Sequence, residues 1–136
     1  LPISCKRSKK FNELPMPIVD VEIVLRPTET LREGLALELA DRIGKVFGAP
    51  TGTTWVKVHG LSSSQYAESG GTPEEVYPVF VSVLKSKLPL PEEMQVEVDG
   101  LTAVIAQTCQ RPKENIHVLY LPEGRGRIAF GGEIVS

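Results

Sequence analysis

The chain has 136 residues, 41% of them hydrophobic, and a formal net charge of −2. That length suits one domain or two small halves sharing a core, and the balance of charge excludes the global basic field of a nucleic-acid binder. Two cysteines and two histidines make neither a disulfide framework nor a zinc pattern, so no metal is expected and a reducing, cytoplasmic setting is the default; no apolar run approaches the ~20 residues of a membrane span.

Residues 1–16 differ from the rest. "CKRSKKFNE" is polar and basic, without clear periodicity and without the apolar stretch of a signal peptide. It reads as a solvated N-terminal extension: a tag, a tail, or sequence upstream of the true start. The body, 17–136, begins at Pro17. "PIVDVEIVL" puts Val19, Val21, Ile23 and Leu25 on one face and Ile18, Asp20, Glu22 and Val24 on the other, a strand with one buried face. Thr30 followed by Glu33 has the spacing of a capping box. Leu31, Leu35, Leu39, Ile43 and Val46/Phe47 then recur at helical spacing, and Gly48 and Pro50 end that helix. "TTWVKVHGL" is the next strand, with Trp55, Lys57 and His59 on one face and Val56 and Val58 on the other.

"SSSQYAESGGTPEE" is a turn-rich linker. The pattern then restarts. "YPVFVSVLKSKL" is an apolar strand. "PEEMQVEVDGLTAVIAQTCQ" carries Met94, Val98, Leu101 and Ile105 at helical spacing, although "MQVEV" alone also fits a strand and Gly100 weakens the helix. "ENIHVLYL" is a strand, and "GRGRIAFGGEIV" a loop with a short terminal strand or hairpin. The order is β-α-β, linker, β-α-β, an internal repeat over about 17–71 and 72–136. Strands joined by a helix pair in parallel through a right-handed crossover. The expected fold is α+β: two fused β-α-β units forming a four-stranded mixed sheet with two helices on one face. Its other face is expected to be apolar and to need cover, which implies oligomerisation.

Three stretches carry a resemblance: "MPIVDVEIV", the helix ending in "FGAP" before a strand, and the tail "GRGRIAFGGEIVS". From Pro17 onward the chain resembles the tautomerase superfamily, which includes 4-oxalocrotonate tautomerase, 5-carboxymethyl-2-hydroxymuconate isomerase, malonate semialdehyde decarboxylase and macrophage migration inhibitory factor. The resemblance implies a homotrimer without a cofactor, acting on a small carboxylate-bearing substrate, with no nucleic acid or membrane as partner. It also implies a start at which Met16 is removed to expose Pro17 as the catalytic base. A free proline is a secondary amine. Desolvation and a nearby cation both disfavour its charged form, so it can move a proton between the carbon and oxygen of an enol or keto acid. As an amide it has no basic lone pair, and a proline that merely opens a strand is the plainer reading.

The resemblance implies further site residues. Lys57 stands near the position of the short tautomerases' carboxylate-gripping arginine if two residues are inserted in "TGTT", and Trp55 if none are; both lie on one face. Lysine offers a point charge rather than a bidentate fork. Arg26 lies one residue before the position of the family's turn arginine, His117 where the cytokine-like members place a pocket tyrosine, and Arg127 beside Gly126 in the tail. Phe130 is a candidate pocket wall, although a gapless tail alignment puts Ile128 there. Each has a bland alternative as a solvated or structural side chain. Residues 43–110 contain no arginine, which disfavours the dehalogenase and decarboxylase chemistries that use paired arginines after the second strand. Keto–enol tautomerisation of a small 2-oxo or 2-hydroxydienoate acid is the expected activity. The rival is a non-enzymatic binding or structural protein whose Pro17 is blocked by residues 1–16.

Overall fold

The computed structural model describes residues 16–135; the predicted extension, apart from Met16, lies outside them. In chain order the elements are β1 (Ile18–Val24), α1 (Leu35–Phe47), β2 (Trp55–Leu61), β3 (Val79–Leu84), α2 (Pro91–Cys109), β4 (Ile116–Tyr120), β5 (Ala129–Phe130) and β6 (Glu133–Ile134). The first four-stranded sheet runs β2-β1-β3-β4. β1 pairs in parallel with β2, β3 in parallel with β4, and the two β-α-β units join through antiparallel β1 and β3.

The alternation in β1 decides which side is covered. Val19, Val21 and Ile23 are buried, as are Val79, Val81 and Val83 of β3. They form one cluster with Leu35, Leu39 and Ile43 of α1 and Leu101, Ile105 and Ala106 of α2. Both helices therefore cover one face. The other face carries Ile18, Asp20 and Glu22 of β1, Trp55, Lys57 and His59 of β2, Phe80, Ser82 and Leu84 of β3, and His117 and Leu119 of β4. That face is mixed rather than apolar. Asp20 sits opposite Lys57, and its Oδ1 lies 3.3 Å from the Lys57 ammonium and 3.7 Å from His59 Nε2, so charged side chains occupy its centre.

Two helix boundaries have local causes. The Thr30–Glu33 spacing does not cap α1: Gly34 does so, at φ 86°, and Leu31 stays outside the helix. Glu29 instead accepts from the Arg26 N–H at 2.8 Å and closes an earlier turn. Gly48, at φ 65°, ends α1 with its N–H on the Lys45 carbonyl, as expected of a left-handed cap. α2 runs 19 residues straight through Gly100. A Cβ there would stand 3.0 Å from Val46 Cγ1, so the glycine allows α1 and α2 to approach. Its cost in helix propensity is offset by that contact.

The tail forms the second, two-stranded sheet. Phe130 pairs with Glu133, leaving Gly131 and Gly132 as the turn, at φ 60° and 92°. Two successive positive φ values are what a two-residue type I′ hairpin requires, and glycine supplies them without steric cost. The tail is tied to the end of β3 by the Gly124 N–H on the Lys85 carbonyl (2.8 Å).

Candidate active site

Pro17 immediately precedes β1, and its side chain is under 2% exposed. Its carbonyl accepts from the Trp55 N–H at 3.0 Å, which extends the β1–β2 ladder by one rung. Ile18 pairs with Trp55 on one side and Leu84 on the other, so the indole belongs to the same end of the sheet. Trp55 Nε1 donates to the Gly52 carbonyl at 3.2 Å, fixing the ring. Phe130 meets it edge to face, with centroids 5.2 Å apart. The hairpin turn therefore delivers Phe130 to the N-terminal end of β1.

Met16, Phe130 and Val135 form a second buried cluster, flanked by Ile18, Trp55 and Ile128. Phe130 and Ile128, the two alternative pocket walls, are thus both present. Val135 is held there by its N–H on the Ile128 carbonyl (2.9 Å), and its own carbonyl accepts from Gly126 (2.6 Å). Arg127 adjoins this cluster through Ile128, with its Nε on the Glu123 carbonyl at 3.1 Å.

The remaining candidates lie apart. Lys57 is two residues beyond Trp55 on the same face, about 7 Å along the strand, 63% exposed and ion-paired with Asp20. His117 is opposite Phe80, which is itself opposite Glu22, well up the sheet. Its ring lies 5.6 Å from Phe80, itself 5.8 Å from Tyr66. Arg26 lies beyond Val24, and Val24 is already about 20 Å from Ile18 along β1. Arg26 is engaged there, with Nη2 on the Gln110 carbonyl (2.8 Å) and its guanidinium over Tyr77. Within one protomer the fold brings Pro17, Trp55 and Phe130 to one end of the sheet, places Arg127 next to Ile128 of the adjoining cluster, and leaves Lys57, Arg26 and His117 apart from them.

Two polar groups were not singled out by the sequence. Arg111, 5% exposed, lies two residues after the end of α2. It donates to the carbonyls of Tyr77 (2.8 Å), Cys109 (2.9 Å) and Val24 (2.9 Å) and to both Glu29 carboxylate oxygens (2.8 and 3.2 Å). Burial alone would raise Glu29, but the Arg111 hydrogen bond, the Arg26 backbone bond and the two guanidinium charges outweigh it and hold the carboxyl below its usual range. Glu97 of α2 accepts from Tyr120 Oη (2.5 Å) and Lys85 Nζ (2.9 Å), whose ammonium lies over Phe47. Desolvation first, then the Glu97 hydrogen bond and charge, raise the Tyr120 phenol. Arg111 and Glu29 lie at the far end of β1 from Pro17, whereas Lys85 and Tyr120 lie at its near end, since Leu84 pairs with Ile18 and Val83 with both Val19 and Tyr120; both groups are partnered within the fold. Among the described residues no cluster of His, Cys, Asp or Glu could hold a metal ion, and no helix is long and apolar enough to cross a membrane.

No family model matches the sequence, and no curated protein does. Solved structures do. A fused 4-OT asymmetric trimer is similar at a TM-score of 0.71 and 13% identity, over 87% of this chain and 95% of its own. Pt0534 inactivated by 2-oxo-3-pentynoate is similar at 0.70 and 18% identity, over 87% and 96%. A macrophage migration inhibitory factor homologue from Prochlorococcus marinus is similar at 0.69 and 13% identity, over 88% and 99%. At these identities the likeness establishes architecture: the chain has the tautomerase-superfamily fold.

Proposed function

We propose that this chain, with Pro17 as a free amine, is a cofactor-independent tautomerase of small 2-oxo or 2-hydroxydienoate acids. The observation that carries the reading is the position of Pro17. It is buried at the head of the central strand of a tautomerase-type sheet, its carbonyl is bonded to the Trp55 N–H, and its neighbour Met16 packs in the apolar cluster with Phe130. Desolvation there would lower the amine pKa, leaving neutral base near neutral pH. The amine takes the proton from the enol oxygen and, as the ammonium, returns it to C3, next to the carbon bearing that oxygen, giving the keto acid and restoring the neutral base. Lys57 and Arg127 are the cations assigned to the substrate carboxylate, and a reducing, cytoplasmic setting is part of the reading. Inactivation of the fold neighbour Pt0534 by a 2-oxo acid supports this substrate class.

A homotrimer is part of the reading. Strands β2 and β4 are both free edges within the sheet, and the helix-free face carries Phe80, Leu84 and an exposed Leu119. Two different edges pairing head to tail close a ring rather than a two-fold dimer, and two fold neighbours are described as trimers. A monomer by light scattering at micromolar concentration would remove this part.

A second reading has its own observation. In the chain as it stands the Pro17 nitrogen is an amide, and Met16 packs against Phe130 and Val135. This form is a blocked, non-enzymatic member of the fold. One experiment separates the two. The main core contains no residue before Val19, so a chain beginning at Pro17 retains all of it. Full-length and Pro17-first chains are assayed side by side on phenylenolpyruvate. Activity confined to the Pro17-first chain, rising as the amine deprotonates, is expected. Equal activity in both would refute Pro17 as the base, and inactivity in both would favour the binding protein.

A further inference from the structure

A cavity of about 470 Å³ lies between α1 and the loop that leads into β2. That volume is in the range of small-molecule sites. Leu37, Ala40 and Gly44 line it from α1, and Pro50 and Trp55 from the other side. Neither Pro17 nor a residue of the β5–β6 hairpin is among its walls, so it is separate from the candidate active site. The sequence makes this space by leaving side chains small. Positions 37, 40, 41, 44 and 45 form one stripe of α1, beside the buried stripe of Leu35, Leu39 and Ile43. Ala40 and Gly44 sit within that stripe, and a Cβ at 44 would already stand 3.4 Å from Thr54 Oγ1. The facing loop is braced by its own bonds. Thr53 donates its N–H (3.2 Å) and its hydroxyl (2.7 Å) to the Pro50 carbonyl, and Trp55 Nε1 donates to Gly52. A wall fixed in this way loses little freedom when a ligand arrives. Leu37, 68% exposed, would gain apolar cover from it.

Charge narrows the class of ligand. Asp41 and Lys45 also line the cavity, and both are exposed. They stand four residues apart on α1, close enough for one ligand to reach both. Neither is ion-paired with a described residue. An anion drawn to Lys45 meets the Asp41 carboxylate, and a cation drawn to Asp41 meets the Lys45 ammonium. A zwitterion satisfies both. We infer that this cavity is a binding site for a free α-amino acid with a flat, apolar side chain. Its ammonium is held by Asp41 and its carboxylate by Lys45, while the side chain lies between Leu37, Ala40 and the Trp55 indole, a surface suited to an aromatic ring. Binding there does not use the Pro17 nitrogen, so it belongs to the full chain and to the Pro17-first chain alike.

Trp55 is the only tryptophan in the chain, so its emission reports on the cavity it lines. The full chain is titrated with L-phenylalanine, with phenethylamine, which lacks the carboxylate, and with hydrocinnamate, which lacks the ammonium. A saturable change is expected with phenylalanine, bound roughly threefold to tenfold tighter than either analogue. Asp41→Asn is expected to abolish the preference over hydrocinnamate and to keep the preference over phenethylamine; Lys45→Gln is expected to do the reverse. Ala40→Leu fills the space and is expected to weaken phenylalanine roughly tenfold or more. If Ala40→Leu does not fold, the two exposed rim variants decide the matter. Equal affinity for the three compounds overturns the proposal, as does the absence of a saturable change with phenylalanine. Preferences unaltered in Asp41→Asn and Lys45→Gln, or phenylalanine bound undiminished by a folded Ala40→Leu, overturn it as well. None of these outcomes bears on Pro17 as the base, which is tested by turnover of an enol.

Discussion

Replacing Arg111 with methionine tests how the two β-α-β units are joined. Its guanidinium has five N–H donors, and all five are used: one on Tyr77, one on Cys109, one on Val24 and two on Glu29. Val24 and Glu29 belong to the first unit, Tyr77 and Cys109 to the second. Methionine matches the stem but none of the donors. Three carbonyls lose a partner, and a carboxylate 27% exposed loses its main counter-charge. Removing one member of a buried pair costs about 3–5 kcal/mol. For a domain of this size that is a fall in Tm of roughly 10–20 °C. Glu29→Gln leaves the three carbonyl bonds in place and is expected to cost about 1–2 kcal/mol, as for loss of a charge-assisted hydrogen bond. Urea unfolding followed by Trp55 fluorescence, at one fixed protein concentration, measures both. A loss under about 1 kcal/mol for Arg111→Met would refute the account. A Glu29→Gln loss equal to that of Arg111→Met would assign the stability to the ion pair alone.

Three further outcomes follow from the same geometry. Because Glu29 is depressed in the folded state, its contribution is present above its unfolded value of 4.5 and is lost as pH falls below that toward the folded value; urea midpoints from pH 6 to pH 3 should drop less in Glu29→Gln than in the parent. Burial pushes the Cys109 thiol up to about 11, so iodoacetamide at pH 8 should spare Cys109 in the native protein and label it in urea, as peptide mapping would show. Lys57→Ala should leave the urea midpoint within about 1 kcal/mol, as for an exposed ion pair, while raising KM for a monoacid enol roughly 10- to 100-fold in the Pro17-first chain; an unchanged KM would return Lys57 to the surface.

Much of this architecture is legible because it rests on periodicity. The alternation of Val19, Val21 and Ile23, repeated by Val79, Val81 and Val83, sets both buried strand faces, and the helical spacing of Leu101 and Ile105 outweighs Gly100. What periodicity does not encode is long-range polar pairing. Arg111 sits between Gln110 and Pro112 with no local signature, and its partners Tyr77, Glu29 and Val24 are 34, 82 and 87 residues away. The Thr30–Glu33 spacing misleads for the opposite reason. It is a valid local pattern, but the chain turns at Arg26–Glu29 and resumes at Gly34. At the candidate site the order of residues points to Pro17, Trp55 and Phe130. Read as a processing signal, Met16 gives no hint that it is also a packed member of the second core.

The burial of Met16 beside Pro17 bears on timing. A peptidase cleft needs several residues of exposed, extended chain. Here both residues flanking the bond are 2% exposed or less, and the Pro17 carbonyl is held in the ladder by Trp55. Cutting between them requires drawing Met16 out from between Phe130 and Val135. If Pro17 acts as a free amine, as proposed, this burial predicts that the Met16–Pro17 bond is cut before the second core closes. Intact mass after incubating the folded full chain with proteases should show the Met16–Pro17 bond unbroken; a cut there would disprove this order of events. On that reading the folded full chain and the folded Pro17-first chain would share one fold and not interconvert.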